Sequence, residues 1–384
     1  MKRMQRLCTM TVLLILLAAC GAPAAPDGPV AGTAEPTSAA GIVAERGTLR
    51  LGHEVVWGGF DSIDPASPSP FYDAMRMLYD TLVRPDASNQ PQPALASSWE
   101  TSDDASIWTF TLRDDVVFHN GQPLRAADVA YSFERLLSPD SLSPISSVLQ
   151  VIESISTPDA QTVVFNLNQP HAEVPVLFMS FYASIIPADS GATVAETGIG
   201  SDPFKLESLD PEDTTRLVAN DDYWQGSPGL AAIEMVGIPD ADARLQALQA
   251  GQIDVVFEPT AQQVNVLETN TALTIQRVPG GPWYSISMRT DTPPFDDARV
   301  RKAMRLATDR QQMIDLVLQG EGVIACDTLV GPEDQSRWDG SCPQDIEQAR
   351  ALLAEAGYAD GLDVTLYTSN SFAPMVPMAE VYQQ

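Results

Sequence analysis

Large apolar side chains alternate with polar or small ones from Ile107 to Leu112 (IWTFTL) and from Val163 to Leu167 (VVFNL). That is the period of a strand with one buried face. Elsewhere the spacing is helical: FYDAMRMLYDTLV places Phe71, Met75, Leu78 and Leu82 three or four apart, and Ala126–Leu137 gathers Val129, Phe133 and Leu136 on one side. TLRLGHEVV, just after Gly47, reads as a first strand, and PASPSP (65–70) as a turn-rich loop. ADARLQALQAGQIDVVF predicts an amphipathic helix, a stop at Gly251 and a buried strand from Ile253 to Phe257. The same order closes the chain, with a helix over Ile346–Ala356, a stop at Gly357 and a strand over Leu362–Tyr367. Helices that feed strands twice predict α/β lobes with mixed sheets.

The N-terminal pattern is of another kind. Lys2, Arg3 and Arg6 precede an apolar run, Met10–Ala19, which is shorter than the roughly 20 residues a membrane-crossing helix needs. The run ends in Leu17-Ala18-Ala19-Cys20-Gly21, which resembles the lipobox of bacterial lipoproteins. The resemblance implies that 1–19 is a lipoprotein signal peptide and that Cys20 is the lipidation site. An ordinary signal peptide cut a few residues later is the alternative. At ~0.8 kcal/mol per buried methylene, several acyl chains hold a domain at a membrane it does not span. Residues 20–45, rich in Ala, Pro and Gly, read as a disordered tether. This places the protein outside the cytoplasmic membrane, periplasmic or at the cell surface. Cys8 leaves with the signal, so Cys326 and Cys342 remain as an even pair in an oxidising compartment. A disulfide is the natural reading, with two buried free thiols as the alternative.

The 384 residues are enough for two to three domains, at about 150 each. A net charge of −29 argues against a nucleic-acid partner, which would need phosphate neutralisation by Lys and Arg. The candidate chemistry then thins out. His53-Glu54-Val55-Val56-Trp57 begins like a zinc-binding HExxH but has Trp57 in the second histidine's place, and His53, His119 and His171 form no close pair, so no metal site is expected. Gly198-Ile199-Gly200 starts like a dinucleotide fingerprint but runs into Pro203. No nucleophile elbow and no phosphate-binding loop occurs, so no catalytic residue and no cofactor is expected, and ATP-driven work falls to another polypeptide. The polar stretch LRDDVVFHNGQPLRAADV (112–129) has structural tasks. Arg113-Asp114-Asp115 and Asn120-Gly121 suit turns, and Asp128 sits in the first turn of the following helix.

That stretch also carries a resemblance. PALASSWETSDDASIWTFTLRDDVVFHNGQPLRAADVAYSFERL resembles the hallmark segment of bacterial extracellular solute-binding proteins of family 5, the peptide/nickel class of ABC-importer receptors. IDPA (63–66), YDTLV (79–83), DPFKLES (202–208), NDDYWQG (220–226), IPDADARLQALQAGQIDV, PPFDDARVRKAMRLATDRQQMIDLVLQGEG and ARALLAEAGYADG follow in the family's order. Three positions depart from it. Arg125 stands where a capping Ser or Thr is usual, Asp202 where a loop has its second Gly, and Arg289 where an Asn is common. Asp202 is expected to take the left-handed turn conformation of the glycine it replaces.

The resemblance implies an α/β, two-lobed periplasmic-binding-protein-like fold with a ligand cleft between the lobes. Lobe one would span 46–278, with an inserted subdomain at about 66–197, and lobe two 279–384. Family members continue beyond the helix begun by MAEVYQQ, so lobe two is expected to be incomplete at Gln384. The implied partners are a peptide or other small solute, a membrane permease and its ATPase subunits, with the receptor itself a monomer. Trp57, Phe71, Tyr72, Tyr182, Trp283 and Tyr284 are the cleft candidates by position, each with a core-packing role as the alternative. A metal chelate or a saccharide on the same scaffold, and a secreted hydrolase using clustered carboxylates, are the competing functions.

Overall fold

The strands, in chain order, are β1 (Thr48–His53), β2 (Val83–Pro85), β3 (Pro91–Pro93), β4 (Ala96–Thr101), β5 (Ile107–Leu112), β6 (Ile152–Ser156), β7 (Thr162–Leu167), β8 (Phe204–Ser208), β9 (Thr214–Ala219), β10 (Ala232–Gly237) and β11 (Val255–Val256). The structure is a computed structural model that describes residues 46–54, 62–68, 71–257, 259–277, 283–328, 330–331, 337–338, 340–369 and 374–384. The signal segment, the tether, Cys20 and Trp57 lie outside the described residues.

β1 runs inside a mixed five-stranded sheet of order β11-β1-β10-β9-β8. It pairs in parallel with β10 (Thr48↔Ala232 to His53↔Gly237) and with β11 (Leu51↔Val255, Gly52↔Val256). β9 pairs antiparallel with both β10 and β8. A side chain on Gly52 would place its Cβ 2.4 Å from Ile253 Cδ1, so a larger residue there would push the end of that side chain aside. Helix α1 (Tyr72–Leu78) covers the sheet, burying Ala74, Met75 and Leu78 with Leu51, Ile63, Leu217 and Met235.

Between α1 and β8 the chain builds a second layer, an antiparallel sheet of order β4-β5-β7-β6 packed by helix α2 (Ala126–Leu137). The alternation predicted for IWTFTL and VVFNL is realised: Trp108, Phe110 and Leu112 face in, as do Val163, Phe165 and Leu167. Phe110, Phe133, Phe165 and Phe178 meet there with ring centroids 4.6–5.6 Å apart, in edge-on and tilted pairs that place ring edges on ring faces.

Entry to and exit from this layer are bonded together. Ile185 N donates to Asp80 O at 2.9 Å, and Thr81 bridges Ser184. Only glycine fits at position 200 beside α1, since a Cβ there would lie 1.9 Å from Leu78 O. The glycines of the abortive dinucleotide pattern therefore serve a close crossing, with Gly198 supplying a left-handed φ of 56°. Asp202 is absent from the left-handed residues, which corrects the expectation for it. It is buried, and its backbone N–H donates to Leu78 O.

Beyond residue 283 the described residues form helices and no strand. Helices Ala298–Ala307 and Ile346–Glu355 pack on each other, and Arg299 Nη1 donates to Glu355 O. Cys326 and Cys342 are joined by a disulfide. The strand expected over Leu362–Tyr367 does not form. Val364 and Leu366 are exposed and Tyr367 is 89% exposed, because no described strand lies alongside to take its hydrogen bonds. The strand expected from Ile253 to Phe257 shrinks to Val255–Val256. At the sheet edge it has one neighbour, and Phe257 turns out to solvent.

Candidate functional site

In open α/β sheets, ligands gather outside the carboxyl ends of parallel strands, where neighbouring connections diverge. Here those ends are His53, Gly237 and Val256. His53 Nδ1 lies 2.9 Å from Glu54 O, which can only accept, so Nδ1 carries the proton and Nε2 is a bare acceptor. Nε2 is buried and, among the described residues, has no hydrogen-bond partner. Burial, and then the charge of Arg244, hold the imidazole below its usual pKa, so it is neutral at physiological pH.

Next to it, Phe71 precedes the first residue of α1 and is 6% exposed, its ring 4.7 Å from that of His53. Tyr72 opens the helix. The short turn Phe181–Ala183 packs beside α1, carrying Tyr182 with its ring 4.2 Å from that of Phe181. The Arg76 guanidinium lies over Phe181, 5.0 Å from the ring centre. The structure thus places Phe71 and Tyr182 beside α1, with Tyr72 at its first helical position. Trp283 and Tyr284 sit on another segment, 54% and 42% exposed. Sequence reasoning passed over His53, rejected as a zinc ligand, and Arg76. The available signal for Arg76 was its place four residues after Tyr72, which puts both positions on one helix face.

Two open cavities lie elsewhere among the described residues. One, of about 460 Å³, is lined by Ser62, Asp64, Ser67, Arg135, Ser141 and Leu142. The other, of about 290 Å³, is lined by Ser97, Arg113, Asp115 and Gln161. Each contains an ion pair, Arg135–Asp64 at 2.8 Å and Arg113–Asp115 at 3.0 Å, and each is lined by one further carboxylate, Asp140 and Asp114 respectively. Neither contains a predicted cleft residue.

A second electrostatic focus lies where the two layers meet. Asp80 and Asp202 are each 8% exposed, and no Arg or Lys forms an ion pair with either among the described residues. Asp80 Oδ2 accepts from Trp224 Nε1 at 2.8 Å, and Tyr223 hydrogen-bonds the Asp202 carboxyl group. Arg113 and Arg84 stack on the Trp224 ring at 4.3 and 5.7 Å. Burial pushes both carboxyls up, Asp80 to about 6 and Asp202 well above the usual range, and the charge of Asp80 raises Asp202 further. His119 closes the joint. Its Nε2 donates to Asp202 O at 3.0 Å while Nδ1 accepts from Gly200 N, and burial pulls it down to about 4.

Comparison with known proteins fits this architecture. The family model for bacterial extracellular solute-binding proteins, family 5 (middle region), matches residues 90–384. Over 323 residues, 76% of this chain, it is 29% identical to heme-binding protein A of Haemophilus influenzae. Over 378 residues, 90% of this chain, it is 29% identical to di/tripeptide-binding protein 2 of Pseudomonas aeruginosa. The chain spans 58% and 70% of the length of these two relatives. Among solved structures it matches the ABC transporter-associated periplasmic binding protein DppA of Helicobacter pylori, in complex with the peptide STSA. The TM-score is 0.73 at 26% identity, covering 88% of this chain and 71% of that one. These relatives are solute-binding proteins, not enzymes. The chain belongs to the family 5 bacterial extracellular solute-binding proteins and has their periplasmic-binding-protein fold.

Proposed function

We propose that this protein is the receptor of an ABC importer, that it captures short peptides, and that it hands them to a permease driven by separate ATPase subunits. The observation that carries the reading is the aromatic and cationic group around α1 beside the carboxyl end of the parallel strand β1, a platform suited to an extended polar solute. The di/tripeptide-binding relative and the peptide-bound neighbour support peptides as the solute class. In this reading the cleft lies between a lobe of 46–278 and one of 279–384, and Trp57, Phe71, Tyr72, Tyr182, Trp283 and Tyr284 contribute to its walls. Lipid on Cys20 holds the receptor at the outer face of the cytoplasmic membrane or at the cell surface. Closure follows from differential affinity, since only a solute that binds the closed form better shifts its population.

Thermal-shift screening of peptide pools tests this. A peptide at 100 times its Kd adds about 2.7 kcal/mol to stability. That corresponds to a Tm rise of several degrees, at roughly 2–4 °C per kcal/mol for domains of 150–250 residues. No shift with any pool, alongside a shift with heme or another non-peptide solute, replaces the peptide reading with a different cargo on the same scaffold. The heme-binding relative is what makes that second cargo class worth including.

A further inference from the structure

We propose that the joint between the two layers is a proton-held latch: one proton shared by the buried carboxyl groups of Asp80 and Asp202 keeps it shut, and loss of that proton opens it.

The two residues reach the joint from different parts of the chain. Asp80 follows α1, and its carbonyl takes the N–H of Ile185 at 2.9 Å, where the inserted layer returns. Asp202 precedes β8, and its N–H donates to Leu78 O at 3.2 Å, at the end of α1. Leu78 is next but one to Asp80, so the backbone pins both aspartates to one short stretch, and the charge of Asp80 acts on Asp202. Each side chain is buried and bonded to one of two adjacent residues, Asp80 Oδ2 to Trp224 Nε1 at 2.8 Å and Asp202 to Tyr223.

The other charged groups at the joint are committed elsewhere. The guanidinium groups of Arg84, in β2, and Arg113, after β5, lie over the Trp224 ring at 5.7 and 4.3 Å, and Arg113 is also paired with Asp115. Burial is the largest influence on both aspartates and outweighs the pull of Arg84 on each and of Arg113 on Asp80. From β8, Lys205 pairs with Asp222 at 3.8 Å. His119 is neutral, with Nε2 given to Asp202 O and Nδ1 accepting from Gly200 N. Tyr79, the residue before Asp80, has a buried hydroxyl with no hydrogen-bond partner among the described residues.

Two carboxylates confined together without an ion pair repel, and a proton held between them removes one of the charges. The pair binds that proton more tightly folded than unfolded, so the latch holds at low pH and is lost as pH rises through the folded value. His119, drawn down to about 4, has finished titrating before that window opens. A fixed network, in which Arg84 and Arg113 neutralise two permanent carboxylates, is the competing account.

The test is amide hydrogen exchange of the full chain, read residue by residue at about pH 6 and about pH 8.5 and normalised for intrinsic rates. Asp202→Asn and Asp80→Asn, which keep the shape of a protonated carboxyl, are measured in the same way. Infrared spectra of wild type and Asp202→Asn are recorded at about pH 6.5, where the shared proton is held. In wild type the N–H groups of His119, Ile185 and Asp202, which close the joint, are expected to lose protection at least about tenfold at the higher pH, the effect of one pH unit on one group. The ladder between β5 and β7 is expected to keep its protection. Asp202→Asn is expected to lose the pH dependence and Asp80→Asn to reduce it, and the protonated-carboxyl band of wild type is expected to be missing from Asp202→Asn. Full pH dependence in either variant, a β5–β7 ladder that loosens as much as the joint, or a wild type without the protonated-carboxyl band overturns the latch.

Discussion

Burial of Asp80 and Asp202 together makes the folded state bind protons more tightly than the unfolded chain, whose carboxyls titrate near 3.8. A raised pKa contributes stability that is complete below the unfolded value and is lost as pH rises through the folded one. The pair therefore destabilises the fold as pH climbs from about 4 past about 6. His119 acts in the opposite sense. Its folded pKa is lowered to about 4, so its contribution is present above 6.5 and lost as pH falls towards 4. The readout is thus a comparison between proteins. Asp202→Asn keeps the shape, removes one of the two charges, and is expected to raise Tm at pH 7.5 while changing it little at pH 4.5. Equal Tm shifts at the two pH values sink the idea of a shared buried charge. Nothing in the sequence pattern announced this pair. Asp202 was legible only as a residue in a glycine's place, and the local turn says nothing about which carboxyl faces it across the joint.

At the level of elements, four helix starts show the cap that a preceding aspartate supplies, and the start of α2 shows how its absence is met. Asp240, Asp297, Asp309 and Asp345 each precede a helix and accept from a backbone N–H in its first turn. α2 begins instead at Arg125, which makes no side-chain cap. Asp128 compensates: its Oδ2 accepts from Arg125 N and its Oδ1 from Ala188 N, each at 2.8 Å. Arg125→Ser supplies the missing oxygen and is expected to gain about 0.5–1 kcal/mol in urea unfolding. Asp128→Ala strips two amides of their acceptor and is expected to cost about 1–3 kcal/mol for each that stays buried. A neutral Asp128→Ala would show that water replaces the carboxylate. The strands of the inserted layer were readable because one face is buried and the other is not, so Trp108, Phe110 and Leu112 alternate visibly. Leu362–Tyr367 carries a similar composition and forms no strand, because a strand is a property of two segments and the sequence displays only one. The α1 platform was half legible. Aromatic positions stand out along a chain, whereas the placement of Arg76 on Phe181 depends on a contact between residues about a hundred apart.

For the whole molecule, charge dominates the expected solution behaviour. With −29 on 384 residues, self-repulsion opposes compaction, and its reach shrinks from about 30 Å at 0.01 M salt to about 10 Å at 0.1 M. Tm is expected to rise between those two concentrations of sodium chloride, and a flat or falling curve would mean that ion pairs, not repulsion, govern the surface. The bonded entry and exit of the inserted layer has a different consequence. Ile185 clasps Asp80, and nearly every residue of the inserted core lies between Leu82 and Ile185. The five-stranded sheet therefore experiences about a hundred intervening residues as a closed stirrup whose two feet touch. Its size can grow, shrink or be exchanged between relatives without altering the distance α1 must keep from β8. The five-stranded framework is thus insulated from changes in the length of the inserted layer.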